Sequence, residues 1–200
     1  MIVFYGSPMS SAMRTHWMLE EAGMPYEYKR ISLREGDNKK PDFLKVSPGG
    51  KIPAIQDGDV MLTESVAINF YLAEKCGKGL MPTDVVERAH VYQWSFWSVT
   101  NVQPPIITIL QHTMVKPEAE RDPKAVETAR VQLPPYLDLL NRALQGKEYL
   151  VGNRFTVADL NVASVIGLGA FVGVDFNPYP NMQAWLKRVQ SRPAFAKAMD

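Results

Sequence analysis

Two short stretches of this chain carry the residue types from which a binding site could be built. The first is GGKIPAIQDGDVMLTES, residues 49–65. Pro53 opens what reads as a strand, where proline is tolerated only at an edge or a first position. A cis Ile52–Pro53 bond would turn the preceding backbone outward and leave the Ile52 N–H and C=O free to pair with an extended peptide as an added strand. At the end of the stretch, Thr63, Glu64 and Ser65 open a helix. The unpaired N–H groups and positive dipole end of a helix start suit a carboxylate, and Ser65 adds a hydroxyl donor. Glu64 beside them can hold an ammonium. A carboxylate site next to an ammonium site would receive an α-amino acid head. The plainer alternative is that Thr63 and Glu64 only cap and charge the helix. The second stretch, YGSPMSSAMR at residues 5–14, puts the adjacent hydroxyls of Ser10 and Ser11 where a strand gives way to a helix. They either cap that helix or hold something against it.

The elements that must position these residues are short in the first 80 residues. Ile2–Tyr5 reads as a strand ended by Gly6-Ser7-Pro8. Residues 11–22 follow a helical pattern that stops at Gly23, and Tyr26–Ile31 reads as a second strand. Asn38–Lys45 is a short polar helix or turn. Ile52–Gln56 and Val60–Leu62 flank the hairpin signal Asp57-Gly58, and a helix runs from Thr63 to Gly77. The order β-α-β-α-β-β-α is the thioredoxin-like arrangement. Beyond Pro82 the pattern becomes helical, with apolar-periodic stretches at 84–112, 124–145, 156–170 and 181–190. Gln103-Pro-Pro105 should kink or interrupt the first of these. The expected organisation is a thioredoxin-like α/β domain over 1–77, a linker at 78–83 and an all-α helical-bundle domain over 84–200.

Bulk composition excludes several classes. The chain has 200 residues, 46% apolar and 22% charged, with 22 basic against 21 acidic residues. A net charge of +1 offers no polyanion-binding surface, so nucleic acid is not an expected partner. The lone Cys76 precludes an internal disulfide framework and fits a reducing compartment. No signal peptide or membrane-spanning run is legible, so the expected location is the cytoplasm. His16, His90 and His112 are scattered without metal-ligand spacing, and no metal is expected.

Taken together, KIPAIQDGDVMLTESVAINFYLAEK, MIVFYGSPMSSAMRTHWMLEEAG and GNRFTVADLNVASVI resemble, in that order, the glutathione-site block, the N-terminal block and the helical-domain folding signature of cytosolic glutathione S-transferases. The likeness is to the serine-type theta, phi and nu-like bacterial classes and runs over essentially the whole chain. It implies glutathione as co-substrate, a small apolar electrophile as second substrate, a detoxifying role and a two-fold homodimer. Ile52 would clasp the cysteinyl part of glutathione through its backbone, with Pro53 the cis-proline and Glu64 and Ser65 at the γ-glutamyl head. Lys51 matches a position whose polar side chain reaches glutathione. Lys39, and after it Asn38, match a segment that meets the glycyl carboxylate. Ser10 matches the sulfur-contacting serine of theta-like classes, whereas Ser11 matches the beta-class cysteine and a nu-like asparagine; the resemblance narrowly favours Ser10. One face of the first long helix, with Trp94 and Trp97, would line an electrophile pocket opposite Met9, although aromatics such as Tyr92, Trp94, Phe96 and Trp97 at helical spacing are usually core. Tyr5 lies near a position where some classes carry a catalytic tyrosine. Arg14, one turn past the serines, reads as structural, and the box Thr156-Val-Ala-Asp159 as a folding device.

Three functions compete. The main reading is conjugation of the glutathione thiolate to apolar electrophiles. The serine could only tune such a reaction. A thiol of pKa about 8.5 is about a tenth ionised at pH 7.5, so ionisation alone gains roughly one order of magnitude. Positioning of the electrophile must supply much of the rest. The second reading is a glutathione-dependent disulfide or peroxide reductase, which would need two glutathiones because the beta-class cysteine is missing. The third is a binding or regulatory protein that has lost the chemistry. Ser-Ser-Cys is absent, since Ala12 follows Ser11, which weakens an isomerase reading. Ser47 replaces the asparagine usual in the family before Pro48.

Overall fold

The computed structural model describes residues 1–199. Contacts divide the chain into two units: Met1–Thr83 together with the segment from Ser191 onward, and Asp84–Gln190. In the first unit, strands β1 (Ile2–Gly6), β2 (Tyr26–Arg30), β3 (Ala54–Asp57) and β4 (Val60–Thr63) form one sheet in the order β2-β1-β3-β4. β1 runs parallel to β2 and antiparallel to β3, and β4 is antiparallel to β3. The parallel pair requires a crossover, which helix α1 (Ala12–Ala22) provides. Gly23 ends α1 in the left-handed conformation, at φ 61°, with its N–H returning to the Leu19 and Glu20 carbonyls. Gly58, also left-handed, turns the β3–β4 hairpin. Helices α2 (Pro41–Val46) and α3 (Ser65–Lys75) complete the expected order. Asp57 fastens the hairpin to α3, accepting from the Tyr71 hydroxyl at 2.7 Å and pairing with Lys75.

The register explains why the candidate residues meet. Tyr5 pairs with Ala54, and Ala54 pairs with Thr63. The end of β1, the start of β3 and the end of β4 therefore share one edge of the sheet, and three loops leave it side by side: 7–11, 51–53 and 64–65. Ile52 lies outside the ladder but is anchored by its side chain, which packs on the cluster of Tyr5, Ile31, Phe43, Val46 and Ala54. A core side chain of this size contributes about 1.5–3 kcal/mol when fully buried, enough to hold the adjoining backbone in register.

The second unit is helical: α4 (Val85–Trp97), α5 (Gln103–Leu110), α6 (Pro123–Ala143), α7 (Val157–Phe171) and α8 (Pro180–Gln190). The Pro104-Pro105 pair falls in the first turn of α5, where the missing N–H groups cost nothing, and a π-helical turn at Ser98–Val102 carries the chain into it. The expected capping box is present at the start of α7. Asp159 accepts from the backbone N–H groups of Thr156 and Leu150 and from Trp185 Nε1, each at 2.9 Å.

Two features differ from the sequence expectation. The last helix, α9 (Pro193–Met199), packs on α1 in the first unit rather than extending the helical bundle. Phe195 meets Trp17 edge-on at 4.8 Å, and Arg192 pairs with both carboxylate oxygens of the buried Glu21 at 2.7 Å. The α4 aromatics are also not core. The buried stripe of that helix is Val91 and Ser95, continued by Ser98, with the Asn161 amide donating to Ser95 Oγ at 3.1 Å. Small residues on the stripe bring α4 and α7 close, and Tyr92, Trp94, Phe96 and Trp97 lie off it, half-buried or exposed.

Candidate functional site

Ser10 and Ser11 separate into two roles. The Ser10 hydroxyl donates to the Ser7 carbonyl at 2.7 Å and accepts from the Ala12 N–H at 3.2 Å. It closes the loop and caps α1. Ser11 makes no side-chain cap. Its hydroxyl faces the Ile52 carbonyl at 3.4 Å, a long contact that a better acceptor would displace. Ser10 is therefore hydrogen-bonded to its own loop, and Ser11 stands beside Ile52.

The Ile52–Pro53 peptide is cis. Ser47 braces the loop before it. Its buried hydroxyl donates to the Lys51 carbonyl at 2.8 Å and accepts the Lys51 N–H at 3.2 Å, a double contact that accounts for a short side chain there. Asn38 ties in the neighbouring turn by donating its amide to the Gly50 carbonyl at 2.8 Å, so its role is that of a brace. Of the two lysines beside it, Lys40 pairs with Asp37 at 2.6 Å, holding that carboxyl below its usual range. Lys39 and Lys51 are exposed and have no ion pair among the described residues. Lys51 adjoins residue 52 in the chain, and Lys39 adjoins Asn38, whose amide donates to the Gly50 carbonyl.

Glu64 carries the strongest local signal. It sits at φ 68°, ψ 107°, in the left-handed half of backbone space, a conformation that costs a non-glycine residue about 1–3 kcal/mol. Capping does not explain it, because its side chain makes no cap bond to α3. Its carboxylate is exposed and has no ion pair among the described residues. The backbone aims a charged group outward at the start of a helix whose first N–H groups have no intrahelical partner. Ser65, the first residue of that helix, is buried, and its hydroxyl accepts from Arg14 Nη1 at 3.0 Å. Arg14, which the sequence reads as structural, makes this contact from α1. It lies in the first turn of α1, and its partner is 51 positions away in the sequence.

The remaining candidates lie elsewhere. Tyr5 is buried and packs on Phe43 at 5.7 Å in the core beneath Ile52. Met9 is 67% exposed at φ 58° in the loop before α1. Trp94 and Trp97 belong to the second unit, where their rings meet edge-on at 5.2 Å. Cys76 closes α3 at the end opposite Ser65, its thiol donating to the Ala73 carbonyl. Eleven helical residues put it about 16 Å from the site. No group of three or more His, Cys, Asp or Glu suited to a metal occurs among the described residues, and none of their helices is long and apolar enough to cross a membrane.

Family models agree with this geometry. Residues 1–74 match the glutathione S-transferase N-terminal domain, and residues 102–193 match the glutathione S-transferase C-terminal domain. The chain belongs to the glutathione S-transferase family. Among its relatives, Glutathione S-transferase 3 of Zea mays is 33% identical over 98% of this chain and 91% of its own length. Disulfide-bond oxidoreductase YfcG of Escherichia coli is 31% identical over 100% of this chain and 94% of its own. Among solved structures, the theta class glutathione S-transferase of Xanthomonas axonopodis pv. citri, with glutathione bound, superposes with a TM-score of 0.91 at 31% identity, covering 99% of this chain and 96% of that one. Within the family framework, the sheet edge carrying Ile52, Glu64 and Ser65 is the natural place to look for the tripeptide.

Proposed function

We propose that this protein is a glutathione transferase that joins the glutathione thiolate to small apolar electrophiles. The observation that carries the reading is Glu64, strained, uncapped and without an ion pair, next to the buried Ser65 hydroxyl and on the same sheet edge as Ile52. The charge pattern fits glutathione, with its two carboxylates and one ammonium. Glu64 takes the ammonium of the γ-glutamyl head, and Ser65 with the α3 N-terminus takes the α-carboxylate. The Ile52 backbone pairs with the cysteinyl residue as an added strand. Lys39 and Lys51 attract the glycyl carboxylate. The sulfur then lies at the start of α1, where Ser11 donates to it and Ser10 holds the loop.

In the reaction the bound thiol first releases its proton to solvent. The thiolate sulfur attacks the electrophilic carbon, a C–S bond forms, and the leaving group departs with its electron pair. Ser11 stabilises the thiolate by about 1.5–3 kcal/mol, the usual range for a hydrogen bond to a charged group. It tunes the nucleophile and forms no covalent bond.

The likeness to YfcG favours a second reading, glutathione-dependent disulfide reduction. Cys76 stands at the far end of α3 from the site, so a reductase cycle here would run through two glutathiones and no protein thiol. A substrate panel separates the readings. Calorimetric titration should show glutathione binding, and chlorodinitrobenzene should be turned over faster than hydroxyethyl disulfide. The opposite ranking would favour reduction, and an absence of heat would overturn both.

A further inference from the structure

Arg14 occupies the first turn of α1 and is only 6% exposed. Its Nη1 donates to Ser65 Oγ at 3.0 Å, across from α1 to the first residue of α3. The two helices are tied again one turn along α3, where the Asn69 amide donates to the Arg14 carbonyl at 3.4 Å. A guanidinium has donors and no acceptor. The Ser65 oxygen must therefore accept in this bond, and the serine's own proton is left for another acceptor. The neighbouring groups that share this position are the first N–H groups of α3, which likewise only donate. The Ser65 hydroxyl proton and these N–H groups are donors set side by side in front of a buried guanidinium, an arrangement that would receive an anionic ligand.

We infer that Arg14 is a positioning residue for the γ-glutamyl α-carboxylate: it fixes the Ser65 hydroxyl as a donor and holds a buried positive charge one hydrogen bond behind it. This rests on the glutathione reading above and adds to it a selectivity that neither Ser65 nor the helix end has alone. Burial draws the guanidinium down to about 10, so it stays charged at neutral pH. A charge held in a poorly solvated site acts more strongly on a bound carboxylate than one in water. Lysine would keep the charge and lose the planar fork that orients the serine.

The test compares two ligands: glutathione, and the analogue with γ-aminobutyrate in place of the γ-glutamyl residue, which lacks only the α-carboxylate. Calorimetry on the wild-type protein should show glutathione preferred by about thirtyfold, the factor expected of charge-assisted hydrogen bonds. Arg14→Gln should weaken glutathione about tenfold or more and the analogue less than about threefold, with Arg14→Lys recovering part of the loss. If Arg14→Gln weakens both ligands equally, or neither, Arg14 is structural and the inference is overturned. Should Arg14→Gln fail to fold, Arg14→Lys, which keeps the charge but loses the fork, carries the comparison. A selective loss against glutathione supports the inference, and equal losses overturn it. A wild-type protein that binds the analogue as well as glutathione overturns the role of Arg14 while leaving the transferase reading in place. One that binds neither overturns both.

Discussion

Replacing Ser11 with alanine removes one hydroxyl that donates to the Ile52 carbonyl, 3.4 Å away. Little folding stability should be lost, because that contact is long and the α1 cap belongs to Ser10. The effect should appear on the bound thiol. Losing about 2 kcal/mol of hydrogen bonding to the thiolate raises its pKa by about 1.5 units, for instance from about 6.5 to about 8. At pH 7.5 the ionised fraction then drops from about nine-tenths to about a quarter. The more basic thiolate is more nucleophilic, with a slope of about 0.4–0.5 per unit, which returns about fivefold. The two effects nearly cancel, so turnover of chlorodinitrobenzene at pH 7.5 should change less than about twofold. At pH 6 ionisation falls about 24-fold, and the net rate falls about fivefold. Ultraviolet titration of the thiolate in the glutathione-saturated protein reads the pKa directly. Ser10→Ala should leave that pKa in place and lower stability by about 1 kcal/mol through the lost cap. A pKa that moves in Ser10→Ala and stays fixed in Ser11→Ala would refute the division of roles.

Further outcomes follow from the same geometry. Glu64→Gly should stabilise the fold by up to about 1 kcal/mol, because glycine accepts φ 68° freely, and should weaken glutathione by about tenfold or more through loss of the ammonium partner; a melting temperature below wild type, or unchanged affinity, would contradict this. Asp159→Ala strands the N–H groups of Thr156, Leu150 and Trp185 in the core, and urea denaturation should show a loss of about 3 kcal/mol or more. His16 is pushed below its usual pKa by burial, against the opposing pull of Glu20 and the Ala198 backbone. The unfolded chain therefore takes up this proton first. Stability should be full above about pH 6.5, fall as pH drops through that value towards the lower folded pKa, and level off beneath it. His16→Gln should flatten that slope in denaturation curves taken across the range.

Much of this arrangement was legible in the chain. Gly23 and the Asp57-Gly58 turn punctuate the first unit where the structure bends, and local chemistry at such points is strong. Ile52, Glu64 and Ser65 could be grouped as candidates because they sit in one contiguous block. Arg14 reads only as structural from the sequence, because its partner Ser65 lies 51 positions away and no local pattern encodes that contact. The different hydrogen-bond partners of Ser10 and Ser11 depend on hydroxyl directions, which resemblance cannot supply. Ser47 became intelligible only once its oxygen was seen holding both polar groups of Lys51. The fate of α9 was hidden for the same reason as that of Arg14: Arg192 meets Glu21 across 171 positions. The aromatic spacing on α4 could not tell core from open face, and the structure puts Val91, Ser95 and Ser98 on the buried stripe instead of the rings.

A crystal structure of the protein grown with glutathione bears most directly on the whole account. It should show the cysteinyl residue hydrogen-bonded through its backbone to Ile52, the ammonium on Glu64, and the α-carboxylate on Ser65 at the start of α3. Glutathione bound away from that sheet edge, or an empty edge at saturating ligand, would contradict it.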